Sequence, residues 1–247
     1  MKLTVIGCSD AFNSGGRLNT CFHVAAEDRP FLIDCGANVL MGLAREGIDP
    51  NGIGLVLISH LHGDHFAGLV WWLIHANHVT RRTAPLTVVG PPGLAGLFEA
   101  AAEALFPGAT RTPRKFELAL VEYAVGKPMD IGAVRLTSFE VNHPSGAPSC
   151  ALRIEVDGRT LAFSGDTGWV EALVDVARGA DLFICECYGF DREQRMHLDW
   201  KTLERNLPRF DARSILLTHF GPDMLAHAGE VVADRVRLAE DGLVVDV

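Results

Sequence analysis

Three histidines and one aspartate lie within six consecutive positions of the sequence. The ligand-type residues in this run are His60, His62, Asp64 and His65. Imidazole and carboxylate are side chains that zinc, manganese and iron accept as ligands. Without a cation, packing these groups together would desolvate polar and partly like-charged side chains. The run therefore predicts a metal site rather than a solvated polar loop.

The segment before this run indicates how its side chains are positioned. Residues 55–58, Leu-Val-Leu-Ile, are a short and wholly apolar stretch, which is typical of a strand buried on both faces. Histidines two positions apart point the same way if the extended conformation continues beyond the strand. A turn at Gly63 can then bring Asp64 and His65 beside them. We therefore expect the site at the carboxyl end of a buried strand.

Three further candidate ligands each follow a predicted strand. They are His143 after residues 139–142, Asp166 after residues 161–165, and His219 after residues 215–218. A lone histidine at a strand end is more often structural than a ligand. Here three such residues follow strands in a chain that already holds the 60–65 run, and this combination favours the interpretation that they are additional metal ligands.

The remaining patterns predict the elements that carry these residues. Strands are predicted at 2–7, 20–26, 30–35, 55–58, 86–89, 134–141, 149–156, 159–164, 181–185 and 214–218. Helices are predicted between about 36 and 47, at 66–78, from the turn at 90–93 to about 105, and at 169–178, 199–206 and 225–238. Hairpins at the start of each half and βα units at its end imply two mixed sheets with helices outside. We predict an α/β fold, a four-layer α/β/β/α sandwich, in a single domain over residues 1–247.

The composition limits the partners that the chain can bind. A formal net charge of −9 over 247 residues argues against a basic face for long nucleic acid. It leaves a polyanionic substrate open, because bound metal ions would invert the local field. No apolar run approaches the roughly 20 residues of a membrane helix, and the first residues are too quickly polar for a signal peptide. The six cysteines lie in apolar stretches, so we expect reduced, buried thiols. We also expect no membrane partner and a cytoplasmic location.

Over nearly its whole length the sequence resembles the metallo-β-lactamase superfamily, and within it the ribonuclease Z-like phosphodiesterases. The segments that carry the resemblance are 31–36 (FLIDCG), 58–65 (ISHLHGDH), 89–93 (VGPPG), 163–167 (FSGDT) and 216–219 (LLTH). The resemblance implies a sandwich of the metallo-β-lactamase type that binds two zinc ions, with manganese or iron as alternatives. The implied ligands are His60, His62 and His143 for one ion, Asp64, His65 and His219 for the other, and Asp166 as a bridge. Asp34 would orient a ligand histidine or simply cap its strand.

Two further residues, Glu186 and His197, refine the subgroup. Ribonuclease Z-like enzymes carry a similar glutamate at a strand end and a histidine that contacts the phosphate and assists the leaving group. A Glu186–His197 pair would form a general-acid relay, in which the carboxylate keeps the imidazole protonated near neutral pH. His197 could instead cap the following helix, since its neighbours differ from the family's usual small hydroxyl residues. The predicted catalytic residues are thus Asp64, Glu186 and His197, with Asp64 also a metal ligand.

Hydrolysis of a small phosphodiester by a hydroxide shared between two ions is the leading functional prediction. Cleavage of transfer-RNA 3′ ends is disfavoured, because His143 and Asp166 are only 23 positions apart. That spacing leaves no room for the long arm with which ribonuclease Z clamps tRNA.

Other activities and partners stay open. Lactone, ester or thioester hydrolysis would use the same nucleophile, whereas a persulfide dioxygenase would bind a single iron. Dimerisation is common in this group, so a homodimer is an alternative to a monomer. Substrate choice depends on loops such as residues 9–19. Phe12, Trp71 and Trp72 could pack against a substrate, although aromatic core is the more frequent explanation.

Overall fold

The computed structural model describes residues 1–192 and 195–247, and their strands form two seven-stranded sheets. The first sheet contains β1 (Lys2–Gly7), β2 (Cys21–Ala25), β3 (Phe31–Ile33), β4 (Leu55–Leu57), β5 (Leu86–Gly90), β6 (Leu118–Glu122) and β14 (Val244–Asp246). The second contains β7 (Pro128–Ile131), β8 (Val134–Glu140), β9 (Cys150–Val156), β10 (Arg159–Phe163), β11 (Ala180–Glu186), β12 (Ala212–Thr218) and β13 (Val236–Leu238). The spatial orders are β14-β1-β2-β3-β4-β5-β6 and β13-β12-β11-β10-β9-β8-β7.

Short helices connect the strands. They are α1 (Val39–Arg45), α2 (Gly63–Phe66), α3 (Gly68–His78), α4 (Leu94–Leu105), α5 (Ala172–Ala177), α6 (Trp200–Asn206) and α7 (Pro222–Ala226). Over the described ranges, the chain has no helix with the length and apolar character needed to cross a bilayer.

The inner faces of the two sheets pack on each other, and helices cover their outer faces. Phe22 of β2 and Phe163 of β10 meet edge to face across the interface, with ring centroids 5.7 Å apart. On the outer side of the first sheet, Val56 lies in one apolar cluster with Trp72 of α3. On the outer side of the second sheet, Phe183 lies in a cluster with residues of α5 and α6. The predicted four-layer α/β/β/α sandwich is confirmed.

Strand direction brings the polar loops to one end of this sandwich. β3, β4 and β5 are parallel, as are β10, β11 and β12. β9 is antiparallel to both β8 and β10, so β8 runs in the same direction as β10. The carboxyl ends of these strands therefore share one edge of each sheet, which is where α/β proteins bind ligands. The two edges meet: His60 Nε2, which follows β4, lies 3.8 Å from Asp166 Oδ2, which follows β10.

The end of the chain differs from the prediction. The helix predicted at 225–238 is wrong: α7 ends at Ala226 and a 3-10 turn covers Ala228–Glu230. Arg235 then takes a left-handed conformation with φ 60°, and β13 pairs in parallel with β12. Pairing with an exposed sheet edge thus overrides the local helical pattern at β13. The edge strands β6 and β7 lie in segments for which no element was predicted.

The loop that carries the 60–65 run is fixed by a close backbone approach at Gly68, the first residue of α3. Its amide donates to the carbonyl of Cys35 at 3.0 Å. A Cβ added there would collide with the Gly36 carbonyl oxygen and lie 2.7 Å from Val39 Cγ1. By contrast, a Cβ at Gly96 in α4 would meet no atom within 4 Å.

We therefore expect opposite effects from the same substitution at these two helical glycines. Gly68→Ala should lower the free energy of unfolding by about 1–3 kcal/mol through overpacking. Gly96→Ala should raise it by about 0.5–1 kcal/mol, because alanine favours the helix. Urea unfolding of both variants measures the difference, and equal effects would contradict the role given to Gly68.

Candidate metal centre and active site

The 60–65 run leaves the buried strand β4 and folds back on itself. Residues 60–62 continue beyond the strand, with His62 extended at φ −75° and ψ 151°. Helix α2 starts at Gly63, so Asp64 and His65 lie in its single turn, and both are buried. The turn expected at Gly63 is thus the start of a helix, and it brings Asp64 and His65 beside the two preceding histidines.

Among the described residues, three groups of candidate ligand atoms form at this position; the third, His143, Asp166 and His197, shares a residue with each of the other two. The first group contains His60, His62 and His143; the second contains Asp64, His65, Asp166 and His219. Within each group the candidate ligand atoms lie within 4.8 Å of one another. In the first, His143 Nε2 is 3.0 Å from His62 Nδ1. In the second, His65 Nε2 lies 3.2 Å from Asp64 Oδ2. All seven residues named as ligands from the sequence are brought together.

Asp166 lies between the first two groups. Its Oδ1 is 3.2 Å from His65 Nε2, and its Oδ2 is 3.2 Å from His219 Nε2. The same Oδ2 is 3.8 Å from His60 Nε2 and 3.9 Å from His143 Nε2. A single carboxylate therefore faces both sets of imidazoles.

Several of these atoms are buried without a hydrogen-bond partner. They are His60 Nε2, His65 Nε2 and Asp166 Oδ1. A buried polar atom without a partner costs about 1–3 kcal/mol, so native structures rarely leave three in one place. Divalent cations bound at the first two groups would satisfy all three, and imidazole with carboxylate is the donor set that zinc, manganese and iron accept. The residues present therefore fit a metal site.

Metal ligands must be deprotonated, and the directions of the pKa shifts meet this condition at His60, His219 and Asp166 but not at His65. Burial lowers the pKa of His219 to about 4 and holds that of His60 well below its usual value. Burial opposes ionisation of Asp166, but the imidazoles of His219 and His65 outweigh it and keep the pKa of the carboxyl well below its usual range. Near neutral pH, His60 and His219 are thus neutral and Asp166 is ionised. Burial opposes protonation of His65, but Asp166, Asp64 and Asp34 outweigh it and hold the pKa of His65 well above its usual value, so a bound cation would replace a proton there.

Four of the histidines bind protein groups through the nitrogen that faces away from the cluster. The partners of Nδ1 are Ser59 Oγ for His60 (3.1 Å), Asp34 Oδ2 for His65 (2.6 Å), the Met196 carbonyl for His143 (2.9 Å) and Thr20 Oγ1 for His219 (3.3 Å). Such partners fix the ring and leave Nε2 directed at the metal position. Asp34 was expected in this role, whereas Ser59 and Thr20 were not identified from the sequence.

Asp34 is fully buried and also accepts hydrogen bonds from the amide and hydroxyl of Ser59, both at 2.8 Å. Its backbone is left-handed, with φ 57°, and so is that of His219, with φ 61°. Non-glycine residues take this conformation at a cost, and they do so mainly at functional sites. Both residues lie directly after a strand, where the chain must turn sharply to reach the cluster.

Glu186, the last residue of β11, and His197 are in contact. His197 Nδ1 lies 3.1 Å from Glu186 Oε1, and the same carboxylate accepts from the amides of Thr167 (2.5 Å) and Leu198 (3.2 Å). Burial opposes protonation of His197, but Glu186 outweighs it and raises the pKa of the imidazole to about 9. The side chain that caps α6 is Asp199, which accepts from the Thr202 amide at 2.8 Å. The alternative role of His197 as a helix cap is therefore wrong.

Members of the first two groups line a cavity of about 310 Å³. Its lining consists of Asp10, Ala11, Phe12, His62, Asp64, His143, Asp166, Tyr188, His197 and His219. Tyr188 was not identified from the sequence; its ring stacks on His197, with centroids 4.9 Å apart. Of the other aromatic candidates, Trp72 is buried in the core and Trp71 packs on Phe106, so neither lines this cavity.

Several known proteins are similar to this chain in sequence or in fold. The uncharacterized protein ML1173 of Mycobacterium leprae is 33% identical, over 90% of this chain and 78% of its own. Ribonuclease Z of Mycobacterium bovis BCG is 31% identical, over 74% of this chain and 69% of its own. Among solved structures, the short form of human tRNase Z superposes with a TM-score of 0.80 at 23% identity, covering 100% of this chain and 99% of that one.

The family profile described as "Anti-Pycsar protein Apyc1" matches residues 1–244, which is almost the whole chain. Together with the ribonuclease Z relative and the paired His/Asp groups, this match covers every segment that carries a candidate ligand. The chain is a metal-dependent hydrolase of the metallo-β-lactamase superfamily, in its ribonuclease Z-like branch, and belongs to the family of the anti-Pycsar protein Apyc1.

Proposed function

We propose that this protein hydrolyses a small phosphodiester with the help of two bound divalent ions, zinc being the best fit to the donor set. The observation that carries the proposal is the shared carboxylate of Asp166, with a carboxylate–imidazole pair beside it. His60, His62 and His143 would hold one ion, and Asp64, His65 and His219 the other. Asp166 would contribute to both.

When bound, a pair of such ions lowers the pKa of a water molecule and neutralises charge on a phosphoryl oxygen. The role of the protein's own side chains is to hold the ligands at fixed positions and to supply a proton. Asp34, Ser59 and Thr20 orient the ligand rings. Asp64 acts as a ligand, since its Oδ2 lies 3.2 Å from His65 Nε2 in the second group.

His197 would protonate the leaving oxygen. Its Nδ1 is engaged by Glu186, and its ring lines the cavity, so Nε2 is the nitrogen available to the substrate. The imidazolium would give its proton to the departing alkoxide as the P–O bond breaks. Glu186 stabilises the charged imidazolium before this transfer. An alkoxide needs such help, whereas the thiolate released from a thioester does not, and this difference favours the phosphodiester over the thioester alternative.

A small substrate suits the shape of the site. The chain between His143 and Asp166 is taken up by strands β9 and β10 and their tight turn, so it extends no arm over the cavity. A cavity of about 310 Å³ is at the lower end of small-molecule sites. The net charge of −9 also disfavours a long polyanion away from the ions.

The first test is metal dependence. We expect about two zinc ions per purified chain, and turnover of bis-p-nitrophenyl phosphate that is lost with a chelator and restored by zinc. A pre-tRNA transcript should not be cleaved. Good turnover of a lactone or thioester without any phosphodiester turnover would contradict the proposal, as would one iron per chain.

The second test concerns Asp34. Asp34→Asn keeps the size of the side chain and tolerates the left-handed backbone. Depending on the orientation of the new amide, its NH2 group faces either His65 Nδ1 or the donors of Ser59, and a hydrogen bond is weakened in either case. We expect zinc affinity to fall by roughly 10- to 100-fold, measured by competition with a chromophoric chelator. Asp181→Asn is the matched control, because Asp181 accepts from the Thr160 amide near the opposite end of β11. Equal zinc affinity in both variants would exclude the orienting role.

The third test separates proton donation from metal binding. His197→Ala should lower kcat for a dialkyl phosphodiester by about 10²–10⁴-fold, because an alkoxide must be protonated as it leaves. The same variant should lose much less activity on methyl p-nitrophenyl phosphate, whose leaving group needs no proton, and should keep its zinc content. Loss of zinc would instead make His197 a ligand, and equal losses of activity on both substrates would contradict its role as the proton donor.

The fourth test is the pH dependence of the same reaction. Glu186 raises the pKa of His197, so general-acid activity should persist through neutral pH and fall as pH rises above that pKa. In Glu186→Gln the imidazolium loses its carboxylate partner, and its pKa should fall. The alkaline limb of kcat for the dialkyl substrate should therefore move to lower pH. An unmoved limb would show that Glu186 does not control the proton of His197.

A further inference from the structure

Phe12 is an exposed aromatic residue at the wall of the catalytic cavity. Its side chain is 82% exposed, although it is a large apolar ring. It lines the same cavity as His62, Asp166 and His197. Most of the ring is therefore in solvent, within reach of whatever group extends from the metal centre.

The loop that carries Phe12 is held in place by a buried carboxylate. Asp10 is 1% exposed, and its Oδ1 accepts from the amides of Phe12 (3.1 Å) and Ser14 (3.0 Å). Its Oδ2 accepts from the Ser14 hydroxyl at 2.7 Å. The Asn19 side chain donates to the Asp10 carbonyl at 3.0 Å, which ties the two ends of the loop together.

A second bond crosses the loop from Asn13, whose side chain donates to the Arg17 carbonyl at 2.9 Å. The Phe12 ring is thus carried on a backbone that needs little further ordering. Because the backbone is already ordered, a ligand that covers the ring restricts only the two side-chain torsions of Phe12, so most of the apolar area is available for binding. In the remaining wall, Tyr188 already stacks one face of its ring on His197, which leaves Phe12 as the freer aromatic surface.

We infer that Phe12 is a specificity-determining residue that packs on a flat, apolar-faced ring in the organic group of the substrate. This inference deepens the proposed function and rests on it: the phosphoryl group lies on the floor of the cavity, and the ring it carries lies against Phe12. Substrates whose organic group is a short alkyl chain would lack this contact. An aromatic pair contributes about two- to tenfold in affinity beyond the area it buries.

Binding of two phosphonates to the zinc-loaded protein tests the inference. Phenylphosphonate and methylphosphonate present the same charged group, neither has a scissile ester, and they differ in the ring. By calorimetry, the wild-type protein should bind phenylphosphonate at least about fivefold more tightly. In Phe12→Ala the ratio of the two dissociation constants should fall to between one and two, and Phe12→Tyr should restore it.

Trp71→Ala is the matched control, since Trp71 is an exposed aromatic residue on α3 that packs on Phe106 outside the cavity lining. This variant should keep the wild-type ratio. A wild-type ratio near one, or a ratio that survives Phe12→Ala, would overturn the inference. Phosphodiester turnover is measured on the same preparations. If turnover is present but Phe12→Ala leaves the ratio of dissociation constants unchanged, only the role of Phe12 is rejected. If turnover is absent, the proposed function is rejected.

Discussion

The carboxylate of Asp166 sits among imidazole nitrogens in a pocket that excludes most solvent, and the rest of the site is arranged around it. Three neighbouring polar atoms, including one oxygen of Asp166 itself, are buried without a hydrogen-bond partner. Each costs the folded chain about 1–3 kcal/mol. The two-sheet core must supply that free energy when the protein folds without metal. Cation binding removes the cost, so metal affinity and folding stability are linked in this protein.

The strands explain why the chain can hold this arrangement. Asp34 and His219 both adopt left-handed backbone conformations immediately after strands β3 and β12. Each is fixed by a backbone hydrogen bond, from the Asp34 amide to the Leu57 carbonyl at 2.8 Å and from the His219 amide to the Cys8 carbonyl at 2.9 Å. A strained residue costs about 1–3 kcal/mol and persists only where its surroundings over-determine it. Here those surroundings are the neighbouring parallel strand β4 for Asp34 and, for His219, the residue that follows β1 of the other sheet.

The sequence predicts those parts of the molecule that depend on local signals. The 60–65 run combines an unusual density of ligand residues with an apolar strand before it, and His143, Asp166 and His219 each follow a recognisable strand. Thr20 and Tyr188 carry no such signal, because a hydroxyl or a phenol becomes part of the site only when distant loops meet. The error at 225–238 has a similar origin: β13 forms because β12 offers an edge to pair with, which no local pattern records.

Metal binding and proton donation share one hydrogen-bond network in this site. The segment before His197 is tied to the loop of His143: the Asn142 side chain donates to the Arg195 carbonyl at 3.1 Å, and His143 Nδ1 bonds the Met196 carbonyl at 2.9 Å. Displacing His143 would therefore also displace the acid.

Charge couples the two roles as well. Cations held by the neighbouring ligands would repel the imidazolium of His197 and make it give up its proton more easily. Glu186 counters this repulsion from the other side of the ring when it is ionised, while its burial raises the pKa of its own carboxyl to about 7. The acidity of His197 is thus set by the balance between the metal centre and one buried carboxylate. This balance explains why a glutamate at the end of β11 belongs to the catalytic machinery even though it lies outside both ligand groups.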